Sequence, residues 1–504
     1  MKSIRILSTD IVLLEGRTDS SQSVRFARIP FSVPADCVSL SIQLERDTVH
    51  PAQIPVALFD AEGNVRILKA SEGAVGPQTD IYALSFQEAC AGGIPGPFPA
   101  GDWKLLLYKR RFIEDIAVHI EIVAEIADPS ELPKTEDRLS EIVATLQTEP
   151  FSADIVDGRP GWYCGELHVH SEESTGRTSV KEVLRVAEEK RLDFIAMTDH
   201  FTASHWLQLQ RHSKEFKLLC LQSMEISGDY GHANVHGLTH WINPLVDDNA
   251  ELTEFLGLEA PPTMERIADQ VHAQGGLFCV NHALSGLVSW RYHDFPMKKA
   301  DLFEIWCLAD NATSYLYPTL WDNYLCQGLH LTGVGSSDSH HPNMEGPWKL
   351  GQIRTWVQTR ELSQQAVLEA LKLGRAYVSY GDSRMEFFAE YDGRRWEMGE
   401  SIPLRKGDSC RFTVRLSDNP SGNLFIMTGG QIHDVKYFQA SIEGSEQSYE
   451  FTISEQDMKR IPNGESFFRL EFHEDLVKSR FWGMAYRDHK TMRLLSNPIW
   501  IGRN

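Results

Sequence analysis

The sequence has no uncharged apolar run approaching the roughly 18 to 20 residues of a membrane helix, and this excludes an integral helical membrane protein. Its start, Met1-Lys2-Ser3-Ile4-Arg5-Ile6-Leu7, is basic, but Ser8, Thr9 and Asp10 interrupt the apolar core that a secretion signal requires. Cysteine is scarce, with 8 in 504 residues, scattered singly and never as Cys-x-x-Cys. A disulfide-stapled scaffold is therefore excluded, and Cys220 and Cys279, inside apolar strand-like runs, read as reduced, buried thiols of a cytoplasmic protein. Basic charge is also in short supply. With 49 Lys and Arg against 70 Asp and Glu the net charge is −21, and such a surface repels nucleic acid and acidic membranes. Neither is an expected partner.

Apolar residues are plentiful at 42%, enough for two or three domains with their own cores. Residues 1–130 read as a β-sandwich-like domain. Ser39-Leu40-Ser41-Ile42-Gln43-Leu44 and Val118-His119-Ile120-Glu121-Ile122 alternate with period two, and turn residues such as Asp60-Ala61-Glu62-Gly63-Asn64 separate the runs. No titratable cluster stands out there, so the region reads as structural or as the surface of a homo-oligomer. Residues 131–160 read as a linker helix, with Leu139, Ile142, Val143 and Leu146 at helical spacing between Pro133 and Pro150.

From 161 to 384 the pattern becomes strand, helix, strand. Ser179-Val180-Lys181-Glu182 fits a capping box, Val180, Leu184 and Ala187 share a helical face, and Asp193-Phe194-Ile195-Ala196-Met197 is a short apolar strand. The unit recurs at 267–280 and 320–334. Repeated βα units with polar strand ends predict a parallel α/β barrel whose functional groups gather at the C-terminal ends of the strands. A last helix, with Ala366, Val367, Ala370 and Leu371 on one face, stops at Gly374. Residues 385–504 read as a C-terminal β domain on the alternation at 412–416 and 467–472.

The chemistry is concentrated in the barrel segment. His168 and His170 lie two apart on one strand and so reach a common point, as a chelating pair does. His200, Glu225, His232, His282, Asp338 and His340 follow at successive predicted strand ends. Six imidazoles and two carboxylates converging in this way point to metal binding, because they are costly to bury otherwise. The remaining histidines, among them His119, His212, His240, His272, His293 and His330, read as packed or solvated residues. His236 shares a strand face with His232 and is an alternative ligand to it.

His168-Val169-His170, Thr198-Asp199-His200, Glu225 with His232, Asn281-His282 and Asp338-Ser339-His340, in this order, resemble the polymerase-and-histidinol-phosphatase (PHP) superfamily of metallohydrolases. Gly231-His232-Ala233-Asn234, Gly335-Ser336-Ser337-Asp338-Ser339-His340 and Leu373-Gly374-Arg375-Ala376-Tyr377-Val378 resemble its branch of carbaryl-type ester hydrolases. The resemblance implies a distorted seven-stranded βα barrel holding two or three divalent metals, and the imidazole-rich donor set suits Zn, Mn or Fe. It implies that His168, His170, Glu225 and Asp338 hold one metal, that Glu225 bridges to a second held by His232 and His282, and that His200 and His340 face the third. Asp199 is expected to orient a ligating histidine. The third position is expected to be weak, because the family places a carboxylate or His where this chain has Thr175 and Gly176.

A water shared by two such ions deprotonates near neutral pH, so the nucleophile is expected to be a metal-bridging hydroxide. The resemblance, with Arg177 and Arg291 near the motifs as phosphate clamps, implies a hydrolase of small phosphoesters. A carboxyl ester or carbamate hydrolase is the second reading, with His205, Trp206, Trp290, Tyr292 and Trp306 to stack an aryl group. A noncatalytic metal-binding module is the third.

Overall fold

The computed structural model describes residues 2–13, 26–49, 54–70, 75–108, 115–127, 155–243, 263–307, 316–343, 348–417, 421–439, 447–474, 477–478, 485–486 and 491–502. The apolar repeat from Leu139 to Leu146, expected to form a linker helix, lies outside them.

The first eight strands are β1 (Lys2–Leu13), β2 (Phe26–Val33), β3 (Cys37–Thr48), β4 (Pro55–Phe59), β5 (Val65–Ala70), β6 (Gly76–Ser85), β7 (Gly101–Tyr108) and β8 (Ile116–Ile126). They form two four-stranded antiparallel sheets, β1-β8-β3-β6 and β2-β7-β4-β5. The alternation seen in the sequence is the reason. Leu40, Ile42 and Leu44 of β3 meet Val56, Leu58, Leu105 and Leu107 of the other sheet in one core, while the intervening polar residues of β3 turn outward.

The central segment contains β9 (Gly161–Val169), α1 (Val180–Glu189), β10 (Phe194–Met197), α2 (Ser204–His212), β11 (Leu219–Leu221), β12 (Ser223–Gly228), β13 (Gly231–His236), α3 (Met264–Ala273), β14 (Leu277–Val280), β15 (Leu302–Cys307), α4 (Tyr317–Cys326), β16 (Thr332–Ser336), β17 (Ile353–Thr359), α5 (Gln364–Lys372) and β18 (Ala376–Tyr380). Helix α1 buries Val180, Val183, Leu184, Val186 and Ala187, the face expected from the sequence. Its start is capped on one side only. Ser179 Oγ accepts from the Glu182 N–H, but the Glu182 carboxylate turns to Arg185 instead of closing the capping box.

The expected closed barrel is not what the strands form. One sheet runs β12-β13-β14-β15-β16, and a second contains β11-β10-β9-β17-β18. Two isolated bridges, His200 with Glu225 and Val169 with Ser339, span the gaps between them in place of continuous ladders. The repeat is also not uniformly parallel. β12 and β13 are an antiparallel hairpin, β13 runs antiparallel to β14, and β9 runs antiparallel to β17. A hairpin inserts a reversed strand without a crossover helix, so the parallel βα repeat is broken at β12 and β13.

The second sheet continues past β18 into the C-terminal part of the chain. Met492–Ser496 pairs with β18, Ser466–His473 pairs with Met492–Ser496, and Gly422–Thr428 and Gln431–Phe438 extend the edge. Arg384–Tyr391, Arg394–Glu397, Ser409–Ser417 and Gln447–Ser454 make a further four-stranded sheet. The polar residues of Ser466–His473 do not face water, as simple alternation would have them. Arg469 is buried and donates to Asp322 of α4 at 2.6 and 2.5 Å and to Glu471 at 2.8 Å. Among the described residues no helix is long and apolar enough to cross a membrane.

Candidate metal centre

The turns after β9, β10, β14 and β16, together with the β12–β13 hairpin, bring the eight predicted ligands to one place. His168 is near the end of β9 and His170 just beyond it, while His200, His282 and Asp338 follow β10, β14 and β16 by two or three residues. Glu225 and His232 depart from the strand-end expectation, since Glu225 is in the middle of β12 and His232 near the start of β13. Because β13 is reversed, its start lies on the same side as the ends of the parallel strands, and this carries His232 to the cluster. Backbone strain marks the place. Asp338 (φ 51), His282 (φ 23) and Phe201 beside His200 (φ 65) sit at positive φ without being glycine.

Glu225 is fully buried, and its two oxygens are divided between two sets of imidazoles. Oε2 lies 3.3 Å from His168 Nε2, 3.3 Å from His170 Nε2 and 2.9 Å from His200 Nδ1. Oε1 lies 3.1 Å from His232 Nδ1 and 3.5 Å from His282 Nε2, and accepts from Asn281 Nδ2 at 3.0 Å. Asp338 Oδ1 is 3.2 Å from His168 Nε2 and 3.0 Å from His170 Nε2. Four groups could each enclose one ion: His168, His170 and Glu225; His168, His282 and Asp338; His200, Glu225 and His232; and His170, His200 and His340. Burial closes most of the cluster, and the side chains of His200 and Asp338, each 13% exposed, mark its open side.

The donors fit a divalent cation. His168 Nε2, Glu225 Oε2 and His232 Nε2 are buried with no hydrogen-bond partner among the described residues, which is costly unless an ion takes them up. Burial opposes charge on Glu225, yet His200, His168 and His232 hold its carboxyl well below the usual range. Burial also opposes charge on Asp338, and His168 and His170 lower its pKa too. Burial pulls His170 far down, and holds His232 and His236 at about 3, so these imidazoles are neutral and free to ligate. On His168 burial is outweighed by Asp338, Glu225 and Glu304, which raise its pKa, so protons compete with a metal there.

His236 takes no part in these groups; its Nδ1 is 3.0 Å from Ser223 Oγ. Asp199 does not reach the cluster either. It accepts from Ser171 N–H at 2.8 Å, Ser171 Oγ at 2.6 Å and Ser174 Oγ at 2.5 Å, and so fixes the turn after His170 instead of a ligating ring. Glu173 is turned away, accepting from Ser204 Oγ at 2.7 Å and Gly92 N–H at 2.8 Å. Arg177 is exposed, and its backbone N–H donates to the His340 carbonyl. Arg291 is bound to the β12–β13 turn, donating to the Asp229 carbonyl at 3.0 Å with its guanidinium 5.7 Å from the Tyr230 ring.

Of the expected stacking rings, His205, Trp206 and Trp306 are core residues, and His205 and Trp206 both donate to the Ser223 carbonyl. Trp290 and Tyr292 instead pack on the hairpin that carries Glu225 and His232, filling the space a Cβ would take at Gly231 and Gly228. His119, His212, His272 and His330 pair with nearby carboxylates away from the cluster.

Two carboxylates were missed by the sequence reading. Glu304, on β15, accepts from the His282 N–H at 2.7 Å, lies 3.1 Å from His168 Nδ1, and also receives the Ser336 hydroxyl. It thereby fixes the ring of one ligand and the backbone of another. Glu166, two residues before His168, accepts from Ser337 N–H at 2.7 Å and Gly351 N–H at 3.2 Å, and burial pushes it up to about 8. Both stand alone in apolar runs, Leu302-Phe303-Glu304-Ile305-Trp306 and Tyr163-Cys164-Gly165-Glu166-Leu167, and a lone buried carboxylate is the signal that could have found them.

No protein-family model matches the sequence, and no curated protein matches it. Among solved structures the chain is similar to a two-domain protein containing a predicted PHP-like metal-dependent phosphoesterase from Bacteroides vulgatus, at 16% identity and TM-score 0.36, covering 64% of this chain and 92% of that one. It is also similar to an amidohydrolase from Chromobacterium violaceum with bound sulfate and no metal, at 15% identity and TM-score 0.27, covering 36% of this chain and 88% of that one. Likenesses this distant say nothing of the substrate.

Proposed function

We propose that the protein is a metal-dependent hydrolase of small phosphoesters. The observation that carries the reading is Glu225, a buried carboxylate whose two oxygens each face a separate set of imidazoles, the arrangement of a ligand shared by two ions. A purely structural site is closed and has no use for a shared carboxylate beside an exposed face. His168, His170 and Asp338 would hold one cation and His232 with His282 a second, while His200 and His340 face the open side. The chemistry that paired divalent cations supply when bound is deprotonation of a shared water and neutralisation of charge on the substrate oxygen. The chain's own part is to hold the donors rigid: Glu304 orients His168, Asn281 orients Glu225, and burial keeps His170 and His232 neutral. Zn, Mn or Fe suits an imidazole-rich set better than Mg or Ca.

Trp290 and Tyr292, packed on the hairpin beside His232, favour a second reading, hydrolysis of an aryl ester or carbamate. Rates on an aryl phosphodiester and an aryl carbamate, measured on one zinc-loaded or manganese-loaded sample, separate the two. Phosphodiester turnover that disappears in Glu225→Ala is the expected result. Carbamate hydrolysis without phosphodiester turnover would replace the first reading by the second. A noncatalytic module would follow if Glu225→Ala lost metal yet left every hydrolytic rate unchanged.

A further inference from the structure

The sheet β2-β7-β4-β5 carries apolar residues on both faces. Val56, Leu58, Ile67, Leu105 and Leu107 point into the sandwich core, and by alternation Ala57, Leu68 and Leu106 point the opposite way, where a solvated sheet would be polar. They are nonetheless buried, because Phe201 packs on them with Trp241 at the margin. Phe201 is the residue after His200. It sits at φ 65, its N–H donates to the Glu225 carbonyl at 3.3 Å, and its ring centroid is 6.2 Å from that of His200.

A second set of contacts ties the same sheet to the turn after His170. Lys69 of β5 donates to the Glu172 carbonyl at 3.1 Å, and the Gly92 N–H donates to Glu173, which also receives Ser204 at the start of α2, just past the loop carrying His200. The turn after His170 and the loop carrying His200 are thus both anchored on the N-terminal sandwich. A non-glycine residue at positive φ is strained and persists only where its surroundings over-determine it. The apolar seat of Phe201 is such a surrounding.

We infer that the outer face of this N-terminal sheet is a positioning surface for the metal centre: Ala57, Leu68 and Leu106 hold Phe201, and through it the backbone of His200, in the conformation that keeps His200 Nδ1 within 2.9 Å of Glu225 Oε2 at the open side of the cluster. The sandwich is a working part of the site, not an appendage. The inference rests on the proposal that the cluster binds metal.

The test is zinc titration of the full chain against a chromophoric chelator, with thermal unfolding recorded alongside. Leu106→Ala and Phe201→Ala are each expected to weaken one zinc equivalent by about tenfold and to leave the tighter one unchanged, and Phe201→Leu is expected to restore it. Ile120→Ala, which opens a cavity in the sandwich's inner core away from this face, is expected to lower the melting temperature without changing zinc affinity. Lys69→Met leaves both cores intact and is expected to give the same selective weakening in smaller measure. Unchanged zinc affinity in Leu106→Ala and Lys69→Met overturns the inference, as does equal weakening in Ile120→Ala. A wild-type chain that takes up no zinc, manganese or iron overturns the metal reading itself, a result distinct from either.

Discussion

Glu304 shows how much a single side chain can carry at this centre. Its carboxylate is shared among His168, the backbone of His282 and Ser336, so replacing one of its oxygens by an amide nitrogen leaves either the His168 imidazole or the strained His282 N–H without an acceptor. Glu304→Gln is expected to weaken metal binding by about 10- to 100-fold while the far-ultraviolet circular dichroism stays unchanged, and a titration on matched samples checks it. Glu173 gives a prediction of the opposite kind. Burial raises its pKa above the ordinary 4.5, so folding favours the protonated form. The stability this contributes is complete below 4.5 and is lost as pH rises through the raised value. Glu173→Gln, which imitates the protonated acid, is expected to flatten the fall in melting temperature on going from pH 4.5 towards neutrality; an unchanged pH profile would show that Glu173 is not the group responsible.

At the scale of elements, helices α1, α3, α4 and α5 and several central strands were legible because their apolar residues recur at a fixed period and their ends carry turn residues, whereas α2 was not read. The cluster was legible for a different reason, since six histidines beside short apolar runs have no bland explanation together. What could not be read was direction. The stretch from Ser223 to His236 contains two strands separated by Gly228-Asp229-Tyr230-Gly231, and period-two patterns are the same whether a strand runs up or down. Hence Glu225 and His232 were expected at strand ends when they lie within a hairpin. Gly231 makes that hairpin possible: its φ is 132, and a Cβ there would meet Trp290 Cα at 2.8 Å. Gly231→Ala is expected to destabilise the fold by more than about 1 kcal/mol, and to cost metal affinity through His232 as well, measured by unfolding and titration on the same variant.

For the whole molecule, the balance of charge at the cluster governs what happens when ions are removed. The donors pay desolvation without compensation once an ion leaves, so chelation is expected to lower the melting temperature, by the equivalent of about 2.7 kcal/mol for each site occupied at a hundred times its Kd. Restoring zinc should restore it. Two equivalents are expected to survive extensive dialysis, because the third position has only His170, His200 and His340, with Glu173 and Asp199 engaged elsewhere. Three retained equivalents by elemental analysis would show that another donor completes it.

The sheet that runs from β18 into Met492–Ser496 imposes an order on biosynthesis. Tyr377 pairs with Ser496, and the Asn497 side chain accepts from the Gly333 N–H at 2.7 Å while donating to the carbonyls of Gly333 and Ala376 at 2.8 and 2.9 Å. A ribosome delivers these partners more than a hundred residues after the strands they complete. Until then β18 presents an open edge, the kind of surface on which nascent chains pair with one another. The segment bearing every candidate ligand is therefore expected to wait for Met492–Ser496, and a chain that terminates after Tyr380 is expected to accumulate as aggregates instead of as a smaller folded unit.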